Sequence, residues 1–380
     1  MVSALVTWAF PTTVVFGVGA VDTVADQTRR AGGRRVLIVC DKGVAKVGIA
    51  ERIRALLEAG RIPTAVFDQV DPNPVEKNIV DGVAAYREHD AGCVVAVGGG
   101  SPLDAGKLIA LKVTHDRPLA EYDDAADGGN LIGPNVPPIV TIPTTAGTGS
   151  EVGRSGVVTL SATGRKTVIF SPHLLARVAI LDPQLTCSMP ARITAATGFD
   201  ALTHCLEAFC SIGDHPMADA IAVGGLELCA ANLARAVERG DDLGARGAMM
   251  KAAMMGAVAF QKGLGACHSL AHPLSSEKGL HHGLANALCL PAVVEFNEEV
   301  VADKLERVRR ILDGTAGSCA EALRALRKRV GLPKGLRAEG VREEDIAMLS
   351  EKAFEDACHR SNPRPASRED LATLYRASLE

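Results

Sequence analysis

The 380 residues carry a formal net charge of −4, with 47% hydrophobic and 3% aromatic side chains. That length exceeds what one hydrophobic core normally serves, so two domains are expected, with cores built mainly from Ala, Val, Leu and Ile. The charge is small and spread without long basic or acidic runs, which excludes the electrostatic footprint of a nucleic-acid or anionic-membrane binder.

The first ten residues, MVSALVTWAF, lack a basic segment followed by a sustained apolar one. No apolar run approaches the length of a membrane span, so a soluble, cytoplasmic chain that keeps its N-terminus is expected. FGVGA (16–20) reads as a turn, because its glycine pair precedes the strongest strand instead of following it. RRVLIVCD (34–41), GCVVAVGGGS (92–101) and PPIVTIPTT (137–145) read as strands. Between the first two, AERIRALLEAG and VEKNIVDGVAAYREHD have helical spacing. Strands alternating with amphipathic helices predict a parallel sheet of the nucleotide-binding α/β type.

Beyond about residue 185 the texture changes. ITAATGFDALTHCLEAFC and ARGAMMKAAMMGAVAFQKG are Ala/Leu/Met-rich with helical periodicity, which predicts an all-α second domain. SMPARIT (188–194) is the expected boundary, dividing the chain into 1–187 and 188–380. SRED (367–370) has the pattern of a capping box opening a last helix. The ten cysteines contain no C-x-x-C pair and read as reduced core residues of a cytoplasmic protein.

Three features carry chemistry. In VVAVGGGS the glycines 98–100 follow an apolar strand, with Ser101 suited to cap the next helix and Pro102 to occupy its first position. Such a turn lets backbone N–H groups and a helix dipole meet a phosphate, although a plain strand-to-helix turn has the same sequence. Asp41 ends the first strong strand, where a carboxylate can accept from a ribose diol and repel the additional phosphate of NADP, favouring NAD. TIPTTAGTGSE (141–151) is a second Gly/Thr loop after a strand, able to hold ribose or pyrophosphate.

The third is a set of metal-type donors. Asp200 and His204 stand four apart on a predicted helix, and His268 and His272 repeat that spacing, with Pro273 limiting the second helix. The segment ACHSLAHPLSSEKGLHHGLANA holds four of the ten histidines, His268, His272, His281 and His282. One carboxylate with imidazoles suits a divalent transition metal with an open position, so Asp200, His204 and two more of these histidines are wanted. Spacing does not choose which two.

The ordered set FGVG, GGGSPLD, TIPTTAGTGSE, LDPQLT, AATGFDALTHCLEAF, HSLAHPL, HHGLANALCLP and SNPRPAS spans essentially the whole chain. It resembles the iron-containing (group III) alcohol dehydrogenases, whose architecture is shared with glycerol dehydrogenase and dehydroquinate synthase. The resemblance implies a Rossmann-like α/β domain followed by an all-α metal-binding domain. It implies Asp200, His204, His268 and His282 as ligands of Fe2+, Zn2+ or another divalent transition metal, and His272 as a non-ligand active-site histidine. It implies NAD contacts at Asp41, Asn73, Gly98, Gly99, Ser101, Thr144, Thr145 and Lys166, with Asp104 bracing the phosphate loop. His281 receives no role from it. The expected reaction is reversible hydride transfer between NAD(H) and a primary alcohol or aldehyde, in a homo-oligomer, a dimer at the smallest.

Within that family, AFQKGLGACHSLAHPL and GLHHGLANAL are most similar to the 4-hydroxybutyrate dehydrogenase branch. Lys262, Lys278 or His281 would then pair with a distal substrate carboxylate. Neutral substrates of the propanediol or butanol type are the alternative. A lyase or cyclase of the dehydroquinate synthase type, with no net NADH, and a non-catalytic NAD-binding protein are the readings from other classes.

Overall fold

The computed structural model describes residue 10 and residues 12–380. The rest of the N-terminal stretch discussed above lies outside the described residues. The chain divides into two compact units, Phe10–Thr145 with Gly149–Ser188, and Ala146–Thr148 with Met189–Glu380.

The first unit runs β1 (Thr13–Phe16), α1 (Val24–Arg30), β2 (Val36–Asp41), α2 (Lys42–Lys46), α3 (Ile49–Ala59), β3 (Thr64–Val70), α4 (Glu76–Glu88), β4 (Cys93–Gly98), α5 (Gly100–Thr114), β5 (Ile139–Pro143), β6 (Ser155–Thr159), β7 (Lys166–Phe170) and β8 (Val178–Leu181). Six strands form a parallel sheet in the order β1-β8-β5-β4-β2-β3, and β6 and β7 make a separate antiparallel pair. Because helices cover both faces, the central strands are apolar without alternation: every residue of β4 is buried, as are the first five of β2. Their side chains feed two cores on opposite faces. Leu37, Val39, Val94 and Ala96 pack with Leu103, Leu108 and Ile79, whereas Val36, Ile38, Val95 and Val97 pack with Val24, Ile53 and Leu57.

This order positions a ligand site. From β2 the chain crosses to β3 on one side and returns to β4 on the other, so the connections reverse between β2 and β4. The crevice at the carboxyl ends of two such strands is where open α/β sheets bind ligands. Asp41 ends β2 and Gly98 ends β4, one on each side of it. A register shift between Val39 and Asp41 in the β2–β3 pairing re-aims the end of β2 there.

The second unit contains α6 (Ala191–Cys210), α7 (Pro216–Glu238), α8 (Leu243–Ala259), α9 (Ala266–Lys278), α10 (His282–Asp313), α11 (Cys319–Arg329), α12 (Ile346–Glu355) and α13 (Arg368–Ala377). α6 is buried almost all round, from Thr194 to Cys210, because α7, α8 and α10 pack against it. α7 is long and apolar enough, by length and composition alone, to cross a membrane. Here it packs against α6 and α8 as a core helix. α13 opens with the predicted box, Ser367 accepting from the Asp370 N–H while the Asp370 carboxylate accepts from the Ser367 N–H.

Two expectations need correcting. Ser101 does not cap α5; Gly99 is the N-cap, and Ser101 lies in the first turn with its hydroxyl donating to the Pro72 carbonyl at 2.5 Å. Pro273 does not limit α9, which continues to Lys278 and ends at the left-handed Gly279 (φ +67°). A proline removes one intrahelical hydrogen bond, but the left-handed glycine supplies the actual stop.

Candidate metal centre and nucleotide cradle

α6 places Asp200, His204 and Glu207 along one face, since residues four and three apart project together. His268 comes from the first turn of α9 and His282 is the first residue of α10. The ligand atoms of Asp200, His204 and His268 all lie within 4.8 Å of one another. His282 Nε2 is 3.5 Å from Asp200 Oδ1, and His204 Nε2 is 4.0 Å from the same oxygen. The rings of His204 and His268 stack at 4.7 Å, and those of His268 and His282 meet at 5.4 Å. Asp200, His204, His268 and His282, noted in the sequence, are therefore brought together in one cluster.

The protonation states suit a cation. Burial opposes ionisation of Asp200, yet His204, His282 and His268 beside it, with the Asn286 amide, hold its carboxyl down at about 2. Burial pulls His204 down to about 4, leaving a neutral imidazole despite the nearby Asp200. For His268, burial works against protonation but Glu207 outweighs it, and the net shift is upward. His268 Nδ1 lies 2.5 Å from Glu207 Oε2, which leaves Nε2 as the ring atom directed to the cluster. One carboxylate and three imidazoles, with Asp200, His204 and His268 buried, fit a divalent transition metal.

Two participants were missed in the sequence. Glu207 also accepts from the Cys267 N–H at 2.7 Å, so it fixes the start of α9 as well as the His268 ring. Asn286 is fully buried; its Nδ2 donates to Asp200 Oδ1 at 2.8 Å and lies 3.4 and 3.3 Å from His268 Nε2 and His282 Nε2. Each had a local signal, a glutamate two turns after Asp200 and an asparagine one turn after His282.

His272 stands one turn beyond His268, stacked on the His282 ring at 5.2 Å, and its Nδ1 is 2.7 Å from Asp356 Oδ2. His272, Asp356 and Cys358 have donor atoms within 4.8 Å of one another. The Asp356 oxygens there already accept from the Ser269 hydroxyl at 2.7 Å and the Cys358 N–H at 2.8 Å, which describes a hydrogen-bonded brace and not a second cation site. His281 is exposed at the N-cap of α10. Lys262 and Lys278 are committed elsewhere, with Nζ 2.5 Å from Asp219 Oδ1 and 2.6 Å from Asp345 Oδ1. The side chain of Lys262 is 1% exposed, so the expectation of a free ammonium for a substrate carboxylate does not hold there.

In the α/β unit, Gly98 and Gly99 meet Thr144 and Thr145 at the carboxyl ends of β4 and β5, and Ser101 lies in the first turn of α5. Gly98 adopts φ +146°, and a Cβ there would sit 2.6 Å from Pro102 Cγ, so only glycine lets the strand turn into α5 at this point. The Thr144 N–H donates to the Gly98 carbonyl at 2.9 Å, and a Cβ on Gly99 would reach 3.3 Å from Thr145. Lys166 Nζ donates to Asn73 Oδ1 at 3.5 Å, and Asn73 follows Pro72, the acceptor for Ser101. Asp41 is the N-cap of α2, accepting from the Val44 N–H at 2.8 Å through Oδ1. Asp104 points inward from α5, accepting from Ser150 Oγ at 2.5 Å and the Val157 N–H at 3.2 Å. Glycine N–H groups at a helix start, two threonines and a strand-end carboxylate are a donor and acceptor set for a dinucleotide.

The chain matches the family model for iron-containing alcohol dehydrogenase over residues 11–183 and the C-terminal model of the same family over residues 194–379. It is 42% identical to 4-hydroxybutyrate dehydrogenase of Cupriavidus necator, covering 95% of this chain and 96% of that one. The crystal structure of a 1,3-propanediol oxidoreductase superposes with a TM-score of 0.94 at 36% identity, covering 99% of this chain and 100% of that chain. Sulfoacetaldehyde reductase from Bifidobacterium kashiwanohense, solved in complex with NAD+, superposes with a TM-score of 0.90 at 30% identity over 99% of each chain.

Proposed function

The chain belongs to the iron-containing alcohol dehydrogenase family and is an oxidoreductase, and from that premise we propose that it interconverts 4-hydroxybutyrate and succinic semialdehyde with NAD(H). The observation that carries the reaction class is the convergence of Asp200, His204, His268 and His282. These four would hold the divalent ion, Fe2+ in our reading, with Zn2+ the nearest substitute. When bound, such an ion lowers the pKa of an alcohol and polarises a carbonyl, so it serves both directions of the reaction. Glu207 and Asn286 keep the ligand side chains oriented. His272 hydrogen-bonds the reacting hydroxyl.

In the α/β unit, Gly98, Gly99 and Ser101 present the start of α5 to the pyrophosphate. Thr144, Thr145, Asn73 and Lys166 hold the remaining polar groups of the cofactor, and Asp41 accepts from the adenosine ribose. Because Asp41 also caps α2, Asp41→Ser is the informative variant: it retains a capping oxygen while removing the charged carboxylate. The ratio of kcat/KM with NADP to that with NAD is expected to rise at least about tenfold, equivalent to about 1.4 kcal/mol of relieved repulsion. An unchanged ratio would show that Asp41 does not face the ribose.

The acid substrate is supported by the 42% identical relative, which is named for it. A distal carboxylate recognised by a charge-assisted hydrogen bond contributes about 1.5–3 kcal/mol. Anaerobic assays of the Fe(II)-loaded chain should therefore give kcat/KM for succinic semialdehyde about 10- to 100-fold above that for butanal. Equal values would move the assignment to a neutral substrate such as a propanediol. Net NADH formation from the alcohol distinguishes both from an internal lyase or cyclase, which the dehydrogenase and reductase relatives disfavour. The same reading makes the enzyme a cytoplasmic homo-oligomer.

A further inference from the structure

Asp356 lies just beyond the end of α12, 84 residues from the histidine it meets. Its Oδ2 takes His272 Nδ1 at 2.7 Å, while Oδ1 accepts from Ser269 Oγ at 2.7 Å and the Cys358 N–H at 2.8 Å. Ser269 in turn accepts from the His359 N–H at 2.8 Å, which ties the segment after α12 to the α9 face that carries His272. The carboxylate is thus fixed by two donors other than the imidazole. An ionised carboxylate only accepts, so the His272 nitrogen facing it carries the hydrogen, and in the neutral ring the other nitrogen carries the lone pair. The ring is further fixed by stacking on His282 at 5.2 Å and meeting His268 edge-on at 6.1 Å. It is nevertheless 31% exposed, so a ligand can reach it.

We infer that Asp356 is a positioning residue that holds His272 by Nδ1, so that Nε2 is the acceptor offered to the substrate hydroxyl. This rests on the role proposed above for His272. Asp356 itself touches no reacting atom. A carboxylate behind an imidazole selects one tautomer and one ring orientation, and substituting its amide permits the wrong tautomer while barely changing shape.

The test uses the full-length, metal-loaded chain and the variants H272A, D356N and D356N/H272A. H272A and D356N should each keep wild-type metal content and KM for NAD while losing about 10- to 100-fold in kcat, the range seen when such supporting partners are removed. The double variant should be no slower than H272A, because Asp356 acts only through that ring. Asp356→Glu, which keeps a carboxylate, should recover part of the kcat. If D356N costs as much in the H272A background as in the wild type, or strips the ion, Asp356 is a brace for the fold and the inference fails. If H272A alone keeps full turnover, it is the reading of His272 that fails. Should D356N not accumulate as folded protein, Ser269→Ala removes one donor from Asp356, and its smaller kcat loss should likewise vanish in the H272A background.

Discussion

His282→Ala is expected to purify without its divalent ion and with kcat/KM reduced at least about a thousandfold, equivalent to about 4 kcal/mol of transition-state stabilisation. The reason is the position of the ring. His282 opens α10 with Nε2 3.5 Å from Asp200 Oδ1, and among the described residues no neighbouring side chain replaces it: Asn286 offers an amide N–H there, and His272 is turned by its bond to Asp356. His282 is a better test than His268. Removing the His268 imidazole would leave the Glu207 carboxylate, 3% exposed, with only the Cys267 N–H among its polar contacts described above. Breaking such a buried pair costs about 3–5 kcal/mol in stability, so H268A would confound unfolding with metal loss. The His282 side chain is 27% exposed and can be truncated with little effect on the fold. Metal stoichiometry measured beside NADH formation decides it, and a fully active, metal-free H282A protein would remove the metal assignment.

How much of this was legible in the sequence depended on how local each signal was. The largely apolar runs of β2, β4 and β5 are visible because a strand covered on both faces needs nearly every residue apolar. β3, an edge strand containing Asp68 and Gln69, has no such pattern, and β1 and β8 are too short to stand out. The hairpin of β6 and β7 carries an alternating, β-branched pattern in SGVVT and KTVIF, but each strand is only five residues long and stands apart from the main sheet. At the cluster, Asp200 with His204 was legible because both lie on one helix face. Which histidines complete it follows from the packing of α10 against both α6 and α9, and only the family resemblance chose between them in advance. Glu207 and Asn286 carried a helical-spacing signal that was overlooked. Asp356 carried none, since its partner is 84 residues away and the contact exists only after α12 is docked. Ser101 and Pro273 were misread for a common reason, that cap and stop preferences are statistical while a neighbouring glycine sets the actual geometry.

Gly283→Ala tests the packing beneath the centre, and the sign of its effect is the informative part. On helix propensity alone, alanine near the start of α10 should stabilise it by up to about 1 kcal/mol. Yet a methyl placed at Gly283 would overlap the Ala196 carbonyl oxygen of α6, lie 2.8 Å from the Ala196 carbonyl carbon and 3.1 Å from Asp200 Cβ. The two Ala196 atoms are backbone in a buried helix and cannot swing aside, so α10 has to move instead, carrying His282 away from Asp200. Overpacking of this kind costs roughly 1–3 kcal/mol. The variant should therefore melt several degrees below the wild type and bind Fe(II) or Zn(II) at least about tenfold more weakly, the second effect following from loss of preorganised ligand geometry. Gly279→Ala is the control. It also disturbs the α9–α10 connection, with φ +67°, but a Cβ there meets nothing within 4 Å. Its penalty is confined to left-handed backbone strain of about 1–2 kcal/mol. Equal losses of metal affinity in the two variants would mean that the connection, and not the close approach of α10 to α6, sets the ligand geometry. Wild-type metal affinity and melting temperature in Gly283→Ala would refute the close approach itself.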